Sequence, residues 1–117
     1  MTERRGKYNA HKVTENGYTF DSGAEARRYR ELKLMQGANQ ISCLVVHPMY
    51  ALLPAFTHIG GKERPVDYIA DFRYWDEAIG AYIVEDVKGV QTDIFKLKRK
   101  ILLWRYPNMI FRIVEAR

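Results

Sequence analysis

The chain is short of cysteine, proline and long apolar runs. Cys43 is the single cysteine, which excludes a disulfide framework and a cysteine-rich zinc centre. A reducing cytoplasm is the simplest compartment for it. No apolar stretch approaches the roughly 18 residues that a membrane-spanning helix needs, so no membrane partner is expected. Met1 to Lys12 is basic but lacks the apolar segment of a secretory signal. Internal repeats and low-complexity tracts are also missing. A length of 117 residues fits one domain, and 47% hydrophobic residues suits a folding chain rather than a disordered one.

What the chain does have is charge, unevenly placed. The formal net charge is +5. Arg4, Arg5, Lys7 and Lys12 face one acid, Glu3, in the first twelve residues. The last stretch carries Lys96, Lys98, Arg99, Lys100, Arg105, Arg112 and Arg117 against Glu115. Between them, residues 63–86 hold half of the acids: Glu63, Asp67, Asp71, Asp76, Glu77, Glu85 and Asp86. Basic ends attract phosphates and release counterions on binding. An acidic centre inside a basic chain suits a divalent cation, although solvated acids would look the same.

Residues 1–13 read as a basic arm and 14–117 as one domain. Tyr18–Phe20 is a short strand after the Glu15-Asn16-Gly17 turn. Ser22 opens a helix with Glu25 at capping-box spacing, and the helix stops near Gly37. Leu44–Leu53 is a strand interrupted at His47-Pro48, as at an edge or a bulge. Residues 54–65, with Pro54, Gly60, Gly61 and Pro65, read as a loop. Asp67–Trp75 and Ala81–Lys88 are strands joined by a turn. Thr92–Arg105 is a second helix, and Met109–Val114 a last strand. The order helix, three strands, helix, strand predicts an α/β fold, a mixed sheet of about four strands flanked by two helices.

The hairpin between the second and third of these strands is the most informative part. With a four-residue loop, Glu77 to Gly80, paired positions sum to 157, and Asp71 falls opposite Asp86. Two carboxylates across a strand pair stand roughly 5 Å apart at Cβ and repel. They are tolerated if one is protonated or a cation sits between them, and Mg²⁺ takes such hard oxygen ligands. Lys88 shares a face with Asp86. A loop one residue different would put the acids on opposite faces. Glu25 has two readings: it caps its helix, or, heading the stripe Glu25, Tyr29, Leu32, Gln36, it points toward the sheet. In the second helix, Ile94, Leu97, Ile101 and Trp104 form the expected core stripe. Lys96, Arg99 and Lys100 lie on the other side, as a solvated face or a phosphate track, and Lys98 borders the stripe. His11, His47 and His58 lack the spacing of a zinc site and read as ordinary residues.

These residues also carry a resemblance. Glu on a first helix, Asp on a second strand and Asp86-Val87-Lys88 on a third resemble the PD-(D/E)-x-K nuclease superfamily. The stretches Lys7-Tyr8-Asn9-Ala10, Phe20-Asp21-Ser22 with Glu25-Ala26, Tyr68-Ile69-Ala70-Asp71-Phe72 and Glu85-Asp86-Val87-Lys88-Gly89, with Thr92, Phe95 and Lys98-Arg99-Lys100, look like small phage-associated members of it. Four ordered blocks say more than one short triplet. Ala70, where the superfamily's name has proline, departs from the pattern, and Pro65-Val66-Asp67 is a rival proline–acid pair.

The resemblance implies a restriction-endonuclease-like core and metal-dependent hydrolysis of DNA phosphodiesters. Asp71, Asp86 and the Val87 carbonyl would hold Mg²⁺, with Mn²⁺ as a substitute, and Glu25 would bind directly or through water. Lys88 and Lys98 would assist the chemistry. DNA would be gripped by Arg4, Arg5, Lys7, Lys12, Lys96, Arg99 and Lys100. Related cores include junction resolvases, so a branched, phage-type DNA substrate and a homodimer are compatible. The competing expectation is a non-catalytic DNA-binding protein in which Glu25, Asp71, Asp86 and Lys88 form a structural network. A small-phosphoester hydrolase would leave the basic arm without a use.

Overall fold

A computed structural model of the chain describes residues 11–116. Arg4, Arg5 and Lys7 lie outside the described residues. The described part opens with a hairpin, β1 (Val13–Glu15) and β2 (Tyr18–Phe20). Its two turn residues, Asn16 and Gly17, have φ of 52° and 83°, the left-handed pair a tight hairpin requires. Helix α1 (Gly23–Gly37) follows, with Ser22 as N-cap accepting from the Glu25 N–H at 3.2 Å. Four strands lead away from it: β3 (Ile41–Val46), β4 (Met49–Leu53), β5 (Phe56–His58) and β6 (Gly61–Glu63). Then come β7 (Val66–Ile69), β8 (Phe72–Asp76), β9 (Ala81–Lys88), α2 (Asp93–Arg105) and β10 (Ile110–Glu115).

The main sheet has the order β10-β9-β8-β3. β9 pairs antiparallel with β8, and β8 with β3, while β10 runs parallel to β9 after the α2 crossover. Counting only this sheet and its helices, the order α1, β3, β8, β9, α2, β10 is the expected one, an α/β fold on a four-stranded mixed sheet. Phe72 pairs with Glu85 and Asp76 with Ala81, so the hairpin register is the one that sums to 157. Among the described residues, no helix is long and apolar enough to cross a membrane.

The two helices cover opposite faces. Phe20, Tyr29, Leu32, Phe72, Tyr74 and Ile83 form the core under α1. Leu52, Tyr68, Ala70, Val84, Phe95 and Leu102 form a second core under α2. Consequently β9 is buried on both faces from Ile83 to Val87. Such central strands are usually continuous apolar runs, yet this one carries Glu85 and Asp86 at its centre.

Three expectations need correction. Asp67–Trp75 is not one strand: it breaks at Ala70-Asp71 into β7 and β8, because the chain there changes partner from β4 to β3. Residues 54–65 are not a plain loop. β5 and β6 pair with each other, extending the β4/β7 ribbon into an arm whose residues are exposed. The core stripe of α2 is also different. Ile94, Leu97 and Trp104 are 64%, 55% and 77% exposed, and only Ile101 of that set is half-buried. The buried positions are Phe95 and Leu102, seven residues apart, with Lys98 and Arg99 half-buried between them. Long aliphatic stems of basic residues can cover apolar surface, so charge did not mark the outer face.

Candidate metal centre

The site forms where one β-ribbon bends. β3 ends at Val46 and β4 begins at Met49, while β7 ends at Ile69 and β8 begins at Phe72. The two breaks lie side by side: His47 N–H donates to the Asp71 carbonyl at 2.9 Å, and Ala70 N–H to the Pro48 carbonyl at 3.0 Å. His47 holds φ of 56°, a left-handed conformation uncommon outside glycine. The bend lets the main chain change partners and sets His47 and Asp71 at the same corner of the sheet.

Asp71 is tied to β9 from both ends. Its N–H donates to the Glu85 carbonyl at 3.1 Å and to Asp86 Oδ1 at 3.0 Å. Its Oδ2 accepts from the Val87 N–H at 2.7 Å. The first turn of α1 brings Glu25 over the same corner. One ligand atom each from Glu25, His47 and Asp71 lies within 4.8 Å of the others. Glu25 Oε1 also accepts from the N–H of Asp21, the residue before the N-cap, at 3.3 Å, so a bond at the helix start and the site-facing position coexist in one carboxylate, where the two were expected to exclude each other.

The electrostatics are those of acids held away from water, with Glu25 and Asp71 close enough to repel. Burial first, and the neighbouring Asp71 second, raise the Glu25 carboxyl to about 7. Asp86 is 2% exposed, and burial raises it to about 6 while Lys88 pulls it down. Burial also raises Asp71, opposed by the Val87 N–H and by the Lys88 and His47 charges. Lys88 therefore acts on all three acids. Its Nζ lies 4.6 Å from the centre of the Phe95 ring.

Beside Asp86 and Lys88 runs a groove of about 330 Å³, which Asp67, Ile69, Phe95 and Lys98 also line. The structure thus brings Glu25 and Asp71 together with His47, ties Asp71 to the Val87 N–H through its carboxylate and to the Asp86 carboxylate through its main chain, and sets Lys88 beside them with Lys98 on the adjoining groove wall; among the described residues Asp86 is not one of the three clustered ligands. Asp71 rather than Asp67 is the acid within reach of Glu25. Lys96 and Lys100 are exposed on α2. The Arg99 guanidinium instead stacks over Phe111, 5.7 Å from the ring centre. Lys12 is exposed and pairs with Asp21 at 3.1 Å.

Two residues escaped sequence reasoning. His47 was passed over because histidine spacing along the chain says nothing about a partner reached through a bend. The break at His47-Pro48 was the available signal. Glu85 is 0% exposed and fully engaged: Arg28 grips it with Nε at 2.9 Å and Nη2 at 2.7 Å, and the Tyr74 hydroxyl donates to it as well. Its position beside Asp86 in a strand buried on both faces was the sign that each acid needs its own partner.

A mixed α/β sheet with acids and a histidine converging at its bent edge defines a class of protein with a candidate metal centre. The chain itself belongs to the family described as Protein of unknown function (DUF1064), which it matches over residues 5–116. No curated protein and no solved structure matches it.

Proposed function

We propose that this chain is a metal-dependent DNA endonuclease with a restriction-endonuclease-like core. The observation that carries the reading is the meeting of Glu25 from α1 with Asp71 from the ribbon bend, with Lys88 of β9 acting on both and Asp86 bonded to the Asp71 main chain. Carboxylates pressed together in a poorly solvated corner repel unless a proton or a cation intervenes. A divalent ion such as Mg²⁺ suits them, held by Asp71 and Asp86 with Glu25 in support. When bound, that ion would polarise a phosphoryl oxygen and activate water.

The chain's own residues supply the remainder. Lys88 sets a fixed positive charge beside the acids, where it stabilises negative charge developing on a phosphate. Lys98 offers a second charge from the groove wall. Lys96 and Lys100 on α2, with Lys12, provide sequence-independent contacts to the DNA backbone. Arg4, Arg5 and Lys7 belong to the same proposed contact set, in a cytoplasmic protein that acts alone or as a homodimer.

The test is cleavage with Mg²⁺ or Mn²⁺ of supercoiled plasmid, linear duplex, single strand, flap and four-way junction. Cutting that needs both metal and Asp86 supports the nuclease, and the preferred DNA defines the substrate. A second reading, DNA binding without cleavage, draws on the Glu25 cap, which shows that one site acid has a structural task. DNA binding that is indifferent to metal, with no cutting of any substrate, would favour it.

A further inference from the structure

Resting on that reading, we infer that His47 is a direct metal ligand, and that the centre therefore takes first-row transition ions in preference to Mg²⁺. To the acids of the proposed site the inference adds one imidazole nitrogen, and His47, Glu25 and Asp71 each offer one ligand atom from three separate segments. Ligands around one ion with bonds near 2.1 Å lie roughly 3 to 4.3 Å apart. The three atoms lie within 4.8 Å of one another, so a closure of a few tenths of an ångström to about 2 Å completes the set. Two of the three are acids repelling across a half-buried corner, and the third is a side chain able to bind as a neutral donor.

His47 is also held for the task. Its main-chain N–H is bonded to the Asp71 carbonyl at 2.9 Å, so one ligand is anchored on the backbone of another. Its ring packs against buried Phe20, with centroids 5.8 Å apart. Pro48, the next residue, is buried and by itself favours extended backbone at His47, so the φ of 56° is imposed by the bend. Packing alone would account for a half-buried histidine on a phenylalanine. It would not account for one whose ring nitrogen lies within ligand range of both acids.

The choice of ion follows from the donors. Mg²⁺ prefers an all-oxygen shell and near-ideal octahedral geometry. An imidazole favours the later first-row ions, whose affinities for nitrogen and oxygen donors rise from Mn²⁺ onward. The inference adds a ligand and a metal preference to the proposed nuclease, and it can fail while the nuclease stands.

The experiment titrates full-length wild type, His47→Asn and Asp71→Asn with Mn²⁺ and with Mg²⁺ by calorimetry, alongside pulsed EPR of the Mn²⁺-loaded proteins. Asparagine tolerates the positive φ of His47, and thermal melts check that each variant is folded. Wild type is expected to bind Mn²⁺, the weakest binder of that series, more tightly than Mg²⁺ and to show a nitrogen coupling on the Mn²⁺ signal. In His47→Asn that coupling disappears and the preference collapses, with Mg²⁺ affinity little changed. Equal Mn²⁺ affinity in wild type and a folded His47→Asn, without nitrogen coupling in either, overturns the inference and leaves the nuclease proposal intact. Absence of binding by either ion to wild type overturns both.

Discussion

Glu85 and Asp86 are consecutive residues on β9, both buried, and they serve opposite faces of one sheet. Glu85 lies on the α1 side, where Arg28 and Tyr74 occupy its oxygens. The Arg28 guanidinium is held more firmly protonated by that pairing, and burial with the adjacent Glu85 raises the Tyr74 hydroxyl. Asp86 lies toward α2 and the groove. It takes one main-chain N–H and faces Lys88 without an ion pair of 4 Å or less among the described residues. An acid closed off by a guanidinium is a structural element. An acid left with spare lone pairs, at the mouth of a groove, is a place where something else binds. The same strand carries both kinds because a carboxylate's use depends on what the opposite layer brings to it.

The sharpest break in this comparison is in activity. Asp86→Ala or Lys88→Ala should lower DNA cleavage by at least about 10³-fold, measured as initial rates on the preferred DNA with metal saturating. Near-wild-type cleavage by either variant would remove the chemical half of the contrast. The next effect is on stability, and the isosteric pair isolates it. Glu85→Gln leaves Arg28 facing an amide in a buried setting and should cost about 3 kcal/mol. Asp86→Asn keeps an acceptor for the Asp71 N–H and should shift stability by no more than about 1 kcal/mol. Denaturant unfolding of the two metal-free variants decides it. Equal losses would mean that Asp86 is as structural as Glu85.

Much of this was legible beforehand, for local reasons. Alternation and a four-residue Glu77–Gly80 loop pointed to the β8/β9 register that the structure has, and the core then rules out the other loop length, since a slip by one would move Phe72 and Tyr74 out of it. Ser22 and Glu25 marked the start of α1 because a cap is a short-range device. What stayed hidden depends on distant layers. Arg28 and Glu85 are 57 positions apart, and His47 reaches Asp71 only after two strand breaks align. The α2 face was misread because Ile94, Leu97, Ile101 and Trp104 have helical spacing, while the layer beneath receives Phe95 and Leu102 instead.

That misreading supplies a smaller contrast on the groove side of the sheet. Leu102→Ala should cost about 2–4 kcal/mol, since the side chain is fully buried and leaves a cavity. Leu97→Ala, more than half exposed, should stay within about 0.5 kcal/mol. Chemical denaturation compares them directly. A large loss at Leu97 would show that the exposed apolar stripe is covered in solution.

The smallest effect concerns pH and the open corner alone. In the folded, metal-free protein Glu25 holds its proton up to about pH 7, against an ordinary 4.5, and Asp86 up to about 6 against 3.8. Between the ordinary and raised values the folded state binds more protons than the unfolded one, so stability falls as pH rises. Below about pH 4 the penalty is absent, and above about pH 7 it is complete. Glu25→Gln removes its share, so with chelator present its melting temperature should decline less than that of wild type between pH 4.5 and 7. Saturating divalent ion should flatten the wild-type curve over the same interval, because a bound cation replaces the proton as the partner of the acids. Identical declines in wild type and Glu25→Gln would mean that Glu25 is solvated and serves only as the cap of α1. In that case the open face would be reduced to Asp71 and Asp86.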